Sequence, residues 1–432
     1  MSPGKESGEK EKVMSGTKRR SRNKLAILVG GGPAPGINGV ISAATIEAVN
    51  RGFEVIGIRE GFRWIAEGDT SHIDELTIRL TSRIHNTGGS IIGISRANPA
   101  SSSERMKNTI NSLTKLGVRY LLSIGGDGTM YLASEVEKAG AGRISVAHVP
   151  KTIDNNIPLP GYIPTFGFET ARHIGTQLVH YLMEDARTTK RWFFVVTMGR
   201  KTGHLALGIG KAAGATITLI PEQFGKGKIA IRDITTILEG SIIKRLADGR
   251  EDGVAILAEG LTEKLDEEEL KNLSDVSRDE MGRLRLSEVD LGELLKHETM
   301  KALAEKGLDV RVIDKTIGYE LRSAPPIPFD AKYTRDLGYS AVKFLLSGGT
   351  GALITLQTGR MVPISFGKII DPASSKPRIR FVDITTESYE VAEKYMIKLR
   401  EDDLSDTKKL SALAKAANMK PGDFKAYFSR AV

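Results

Sequence analysis

The chain has no cysteine, and that single absence removes disulfides, thiolate metal sites and cysteine nucleophiles together. It fits a reducing compartment, and the expectation is a cytoplasmic protein. Aromatic residues are sparse, at 6% of 432 residues with two tryptophans. No apolar run approaches 18 residues, so no membrane-spanning helix is expected. The N-terminus lacks the apolar core of a signal peptide. The phosphate-loop pattern GxxxxGK followed by Ser or Thr does not occur, and neither does GxSxG or HExxH. The seven histidines (72, 85, 148, 173, 180, 204 and 297) have no paired metal spacing. His148 lies on a buried-strand pattern and reads as a satisfied core histidine.

What is present is an ordinary globular composition, 40% hydrophobic and 27% charged, long enough for two domains. The net charge of +9 is uneven, because residues 1–22 hold seven Lys/Arg against three Glu. This stretch reads as a disordered basic tail ending at residue 23; a nucleic-acid-binding role for it is the weaker alternative. The remaining positive excess suits anionic metabolites.

Two motifs organise the rest. GGDGT (Gly125 to Thr129) follows the strand-like run YLLSI, and PKTIDNN (Pro150 to Asn156) follows RISVAHV. Both loops therefore fall at carboxyl ends of parallel strands, where open α/β sheets place ligands. Asp127 and Asp154 supply carboxylates, Gly126 and Gly128 allow close backbone approach, and Lys151 adds a cation. This combination suits a polyphosphate held by backbone N–H groups and a metal, beside a base able to accept a proton.

Upstream, LAILVG, GGPAPGIN, a helix ending at Gly52 and FEVIGI form a βαβ unit whose glycines Gly30, Gly31 and Gly32 permit a phosphate at the helix start. NTGGSIIGISRANP carries Arg96, whose planar fork can bridge phosphate oxygens. RWFFVVTMGR is a strand delivering Met198, Gly199 and Arg200, and GVAILAEG is another ending in Glu259. Gly208, Gly210 and Gly214 lie within a helix and read as close-packing glycines. Residues 262–307 read as a charged helical insertion, 309–330 as loop, and 374–432 as a mainly helical C-terminal extension. No internal repeat is visible.

In this order, GGGPAPGIN, GGSIIGISR, GGDGT, PKTIDNN, MGR, AEG and GYELR resemble the phosphofructokinase family over about residues 24–370. GGDGT alone also occurs in NAD and lipid kinases of related fold; PKTIDNN with MGRK is far more specific. The resemblance implies an α/β fold of two Rossmann-like three-layer α/β/α domains with mostly parallel sheets and the active site in the cleft between them. It implies a donor-binding domain from 24–165 plus 323–373 and a sugar-phosphate domain from 166–322.

The resemblance also assigns roles. Gly31, Arg96, Gly126, Asp127, Gly128 and Thr129 would hold the phosphoryl donor, with Asp127 on Mg²⁺. Thr152, Asp154, Met198, Gly199, Arg200 and Glu259 would hold fructose 6-phosphate, and Tyr319 and Arg322 its 6-phosphate. Arg191 would reach a neighbouring subunit's 6-phosphate, which implies a homodimer or homotetramer. Asp154 would act as base toward the C1 hydroxyl, with Lys151 and Arg96 spreading charge on the transferring group.

Three departures from the family pattern stand out. Asn156 replaces a second aspartate. Tyr319 replaces a histidine, and an upstream arginine is missing, with Lys315 as its substitute. The donor signals conflict: Gly128 leaves room for the α-phosphate of ATP, whereas Lys151 is typical of pyrophosphate users. The reading taken is an ATP-dependent 6-phosphofructokinase, with a pyrophosphate-dependent fructose 6-phosphate 1-phosphotransferase as the alternative. A catalytically inactive sugar-phosphate-binding subunit is a further alternative.

Overall fold

The computed structural model describes residues 24–271, 289–371, 376–429 and 432. The N-terminal tail and much of the charged segment read as an insertion lie outside the described residues. Two sheets, each covered by helices on both faces, organise the chain.

The first sheet has the strand order β11-β10-β5-β4-β1-β2-β3. Its members are β1 (Lys24–Val29), β2 (Glu54–Ile58), β3 (Ile73–Glu75), β4 (Val118–Gly125), β5 (Ser145–Pro150), β10 (Ala352–Gln357) and β11 (Arg360–Ser365). The five inner strands are parallel, while β3 and β11 are antiparallel edges. The runs KLAILV and SVAHVP are buried almost throughout because helices cover both faces, and so they read as continuous apolar stretches. Helices Ile37–Asn50 and Pro328–Leu346 cover one face through Val40, Ile41, Leu337 and Leu345. Helices Ser103–Lys115 and Asp127–Gly140 cover the other through Leu113, Met130 and Val136.

The second sheet is fully parallel, in the order β7-β8-β6-β9. It contains β6 (Trp192–Thr197), β7 (Ile217–Leu219), β8 (Gly253–Ala258) and β9 (Val312–Ile317). Helices Phe168–Thr189 and His204–Ala213 pack on one face. In the latter, a Cβ at Gly210 would stand 2.0 Å from Thr218 Oγ1, so this glycine allows helix and strand to touch; Gly214 instead ends the helix in a left-handed conformation.

Two regions differ from the sequence expectation. Residues 312–317, expected as loop, form strand β9 beside β6. Its outer positions, Lys315 and Thr316, are exposed because β9 is an edge, and this interrupts the apolar run that marks inner strands. The segment 262–307, expected as an insertion with a solvated surface, includes the helix Leu291–Ala304 that leads into β9. Leu291, Leu295 and Leu303 of that helix are buried in the core of the second sheet, so its charges occupy only the outer face. The C-terminal helices also enter that core, with Phe424 and Phe428 fully buried. Among the described residues, no helix is long and apolar enough to cross a membrane.

Candidate active site

Strand order decides where the first half of the site forms. From β1 the chain steps to β2 on one side and later to β4 on the other, so a crevice opens at the carboxyl ends of β1 and β4. The loops at that crevice are Gly30–Gly32 and Gly125–Gly128. Thr129 ties them together: a Cβ at Gly30 or Gly125 would lie 2.5 or 2.3 Å from its side chain. Gly31 has φ +88°, a left-handed conformation that disfavours other residues. Asp127 begins the helix Asp127–Gly140, where backbone N–H groups favour anions, and its Oδ1 accepts the Gly128 N–H at 2.8 Å.

His148 supports this loop from below, as the core-histidine reading expects. Burial pushes its imidazole down to about 3, so the ring is neutral. Its Nε2 donates to the Gly125 carbonyl at 3.0 Å, and its Nδ1 lies 2.8 Å from Ser123 Oγ. The same Gly125 carbonyl accepts the Lys151 N–H at 2.7 Å. The Lys151 side chain is buried and donates from Nζ to the Gly32 carbonyl.

The second half comes from the carboxyl ends of β6, β8 and β9. Glu259 Oε2 accepts the Gly199 N–H at 3.1 Å, and Arg200 Nε lies 3.8 Å from Glu259 Oε1. Arg322 lies over the Tyr319 ring, 4.5 Å from its centroid. It also reaches the first half, because a Cβ at Gly32 would stand 3.1 Å from its Nη1.

One cavity of about 630 Å³ joins the two halves. It brings together Gly31, Arg96, Gly126, Asp127, Gly128, Thr129, Lys151, Thr152, Asp154, Met198, Gly199, Arg200, Glu259, Tyr319 and Arg322. Two sequence-predicted residues are not brought there. Arg191 precedes β6 and so sits at the end of the strand opposite Met198; its Nε lies 3.8 Å from Asp185 Oδ1. Lys315 is exposed within the edge strand β9. Asn156 also lies off the cavity lining, and its buried Oδ1 has no hydrogen-bond partner among the described residues.

Sequence reasoning missed Phe62, Asn98 and Tyr131, which also line the cavity. Asn98 stands two residues beyond Arg96 in the same loop, a usable signal; the two aromatics carry none.

The electrostatics pair a buried carboxyl with a buried cation. Burial pushes the Asp154 carboxyl up to about 6; the charges of Glu259 and Asp127 add to this, and Lys151 and Arg200 oppose it. Burial brings the Lys151 ammonium down to about 8, with Asp154 opposing and Arg322 and Arg96 reinforcing. Near neutral pH the cavity thus holds an ionised carboxylate and a protonated amine, each within about a unit or two of its transition.

The phosphofructokinase family model matches residues 24–345. The chain is 52% identical over 407 residues to a pyrophosphate–fructose 6-phosphate 1-phosphotransferase of Thermotoga maritima, covering 93% of this chain and 97% of that protein. It is 48% identical to a protein of the same name from Naegleria fowleri, covering 93% and 94%. An ATP-dependent 6-phosphofructokinase 3 of Bacteroides thetaiotaomicron is 30% identical over 77% of this chain and 89% of that protein. The fold is similar to that of a pyrophosphate-dependent phosphofructokinase from Nitrosospira multiformis, with TM-score 0.65 at 16% identity over 88% of this chain and 93% of that one. It is also similar to phosphofructokinase from Saccharomyces cerevisiae, with TM-score 0.64 and 20% identity; there this chain is covered to 95% but spans about half, 48%, of the yeast chain. With its motifs gathered in one cleft and its family model matched across most of its length, the chain belongs to the phosphofructokinase family.

Proposed function

We propose that this protein transfers a phosphoryl group from pyrophosphate to the C1 hydroxyl of fructose 6-phosphate. The carrying observation is the 52% and 48% identity, over 93% of the chain, to two pyrophosphate–fructose 6-phosphate 1-phosphotransferases. This favours the alternative of the sequence reading over its ATP form. Gly128 leaves room for ATP, since a Cβ there would meet nothing within 4 Å. Open space permits a nucleotide but contributes no binding energy. Lys151 does contribute: its buried ammonium points at the Gly31–Gly32 turn, where the charge of a terminal phosphate would be concentrated.

Asp154 is the proton acceptor in this reading. Its carboxylate takes the proton of the C1 hydroxyl as that oxygen attacks phosphorus in line, and pyrophosphate leaves inorganic phosphate. Lys151 and Arg96 spread the charge of the transferring group. Glu259 and the backbone of Gly199 orient the sugar, and Arg322 with Tyr319 receives its 6-phosphate. Arg191, outside this cavity, would serve the site of a second copy in a homo-oligomer.

No group of three or more acidic or histidine side chains able to hold a metal occurs among the described residues. A single carboxylate at Asp127 fits Mg²⁺, which binds through one or two carboxylates plus substrate phosphates and water. When bound, Mg²⁺ would neutralise donor oxygens.

The test is steady-state turnover of fructose 6-phosphate with Mg²⁺ and either pyrophosphate or ATP. The expected result is turnover with pyrophosphate and, in reverse, phosphate-dependent loss of fructose 1,6-bisphosphate. Turnover with ATP alone would return the donor to the first reading.

A further inference from the structure

The loop that carries Asp154 is held by a residue from far along the chain. Asn155, next to Asp154, has φ +55°, a left-handed conformation. The Arg380 guanidinium spans the loop: Nε donates to the Asn155 carbonyl at 3.0 Å, Nη1 to the Ile163 carbonyl at 2.9 Å, and Nη2 to Asn155 Oδ1. The Arg380 backbone N–H donates to the Asn156 carbonyl at 2.8 Å. Asn155 Oδ1 in turn accepts the Thr165 N–H at 3.0 Å, and Thr165 Oγ1 donates to the Thr152 carbonyl at 2.8 Å.

The strap bearing Arg380 is anchored on the other side of the cleft. The Arg380 carbonyl accepts from His204 Nε2 at 3.1 Å; burial holds that imidazole near 4, so it is neutral and donates. Two residues on, the Val382 N–H donates to Glu222 Oε1 at 3.0 Å, and Glu222 also accepts the Gly203 N–H. One strap therefore joins the loop of the first sheet to the helix start of the second. The guanidinium bonds are to neutral oxygens. Burying a full charge on such partners is costly, which suits a position where geometry matters more than stability.

We infer that Arg380 is a positioning residue for phosphoryl transfer, holding Asn155 left-handed so that Asp154 projects into the cavity. The inference rests on the reading of Asp154 as the proton acceptor. Arg380 does not line the cavity, so substrate binding does not depend on it directly. Its loss therefore falls on kcat rather than KM, because a base displaced by about an ångström can cost ~100-fold.

The test compares full-length Arg380→Met and Arg380→Lys with the native chain, reading kcat, KM, thermal melting, and amide hydrogen exchange of residues 152–156. The expected result for Arg380→Met is a folded protein with kcat down ~10- to 100-fold, KM for both substrates near native, and faster exchange in 152–156. Millimolar guanidinium should restore part of that kcat without affecting the native enzyme, and Arg380→Lys should lie between. If Arg380→Met does not fold, Arg380→Lys carries the same comparison. Native kcat in a folded variant, or a loss carried by KM, overturns the inference. If the native chain turns over neither donor, the functional reading fails on its own, and exchange then decides: unchanged protection of 152–156 overturns the positioning role.

Discussion

The Glu259 carboxylate accepts the Gly199 N–H at 3.1 Å, and its charge is, after burial, the largest influence raising Asp154. Glu259→Gln keeps an acceptor for that N–H and removes the charge. Activity that needs ionised Asp154 falls as pH drops through about 6. With Glu259 neutralised, the Asp154 carboxyl loses an upward push, so the acid limb of kcat should move to lower pH. A kcat–pH profile checks this; a limb that stays in place or moves upward would mean that the charge does not reach Asp154.

Lys151 governs the opposite limb. Its ammonium, brought down to about 8, must be protonated to attract donor phosphate, so activity should fall as pH rises through that value. Lys151→Arg stays charged at all working pH and should abolish the alkaline limb, even at reduced kcat. Lys151→Met should raise KM for pyrophosphate. The same pH series, extended to these variants, tests both statements.

Asp330 predicts a change in stability. Its buried carboxylate accepts the N–H groups of Gly167 and Thr170, both at 2.8 Å, and the Thr170 hydroxyl at 2.6 Å. It thereby caps the helix Phe168–Thr189 from the helix Pro328–Leu346. Asp330→Ala leaves three buried donors without that partner and should cost about 3 kcal/mol. Denaturant unfolding measures it, and a loss under about 1 kcal/mol would show that the cap is not needed.

The C-terminal helices make a parallel case. Phe424 and Phe428 are fully buried, with ring centroids 4.5 Å apart. Phe424→Ala should destabilise by about 3–5 kcal/mol, the cost of emptying a core aromatic site. A change near zero in unfolding free energy would place these helices outside the cooperative core.

The parts legible in the sequence were those fixed by local chemistry. Glycines next to Asp127 and the lysine beside Thr152 follow apolar strands, and parallel sheets send such loops to one edge. The βαβ start carries the same short-range signals. Strand β9 was hidden because its edge position admits Asp314 and Lys315 into the run. The helix Leu291–Ala304 is legible as a helix but its burial is not, because its charges are conspicuous while its buried leucines lie four and eight residues apart. Arg380 could not be found at all: its partners lie 217 and 225 residues away, and only the fold brings them together. Arg191 follows the family pattern and Lys315 stands in for an arginine that the pattern has, yet strand geometry keeps both from this chain's own cavity.

The account depends most on Asp154 as the group that takes the C1 proton. Its most direct measurement is kcat of Asp154→Asn with fructose 6-phosphate, pyrophosphate and Mg²⁺, on protein whose melting temperature matches the native chain. The account predicts a fall of roughly 10²- to 10⁴-fold with KM little changed. A kcat near that of the native protein would contradict it.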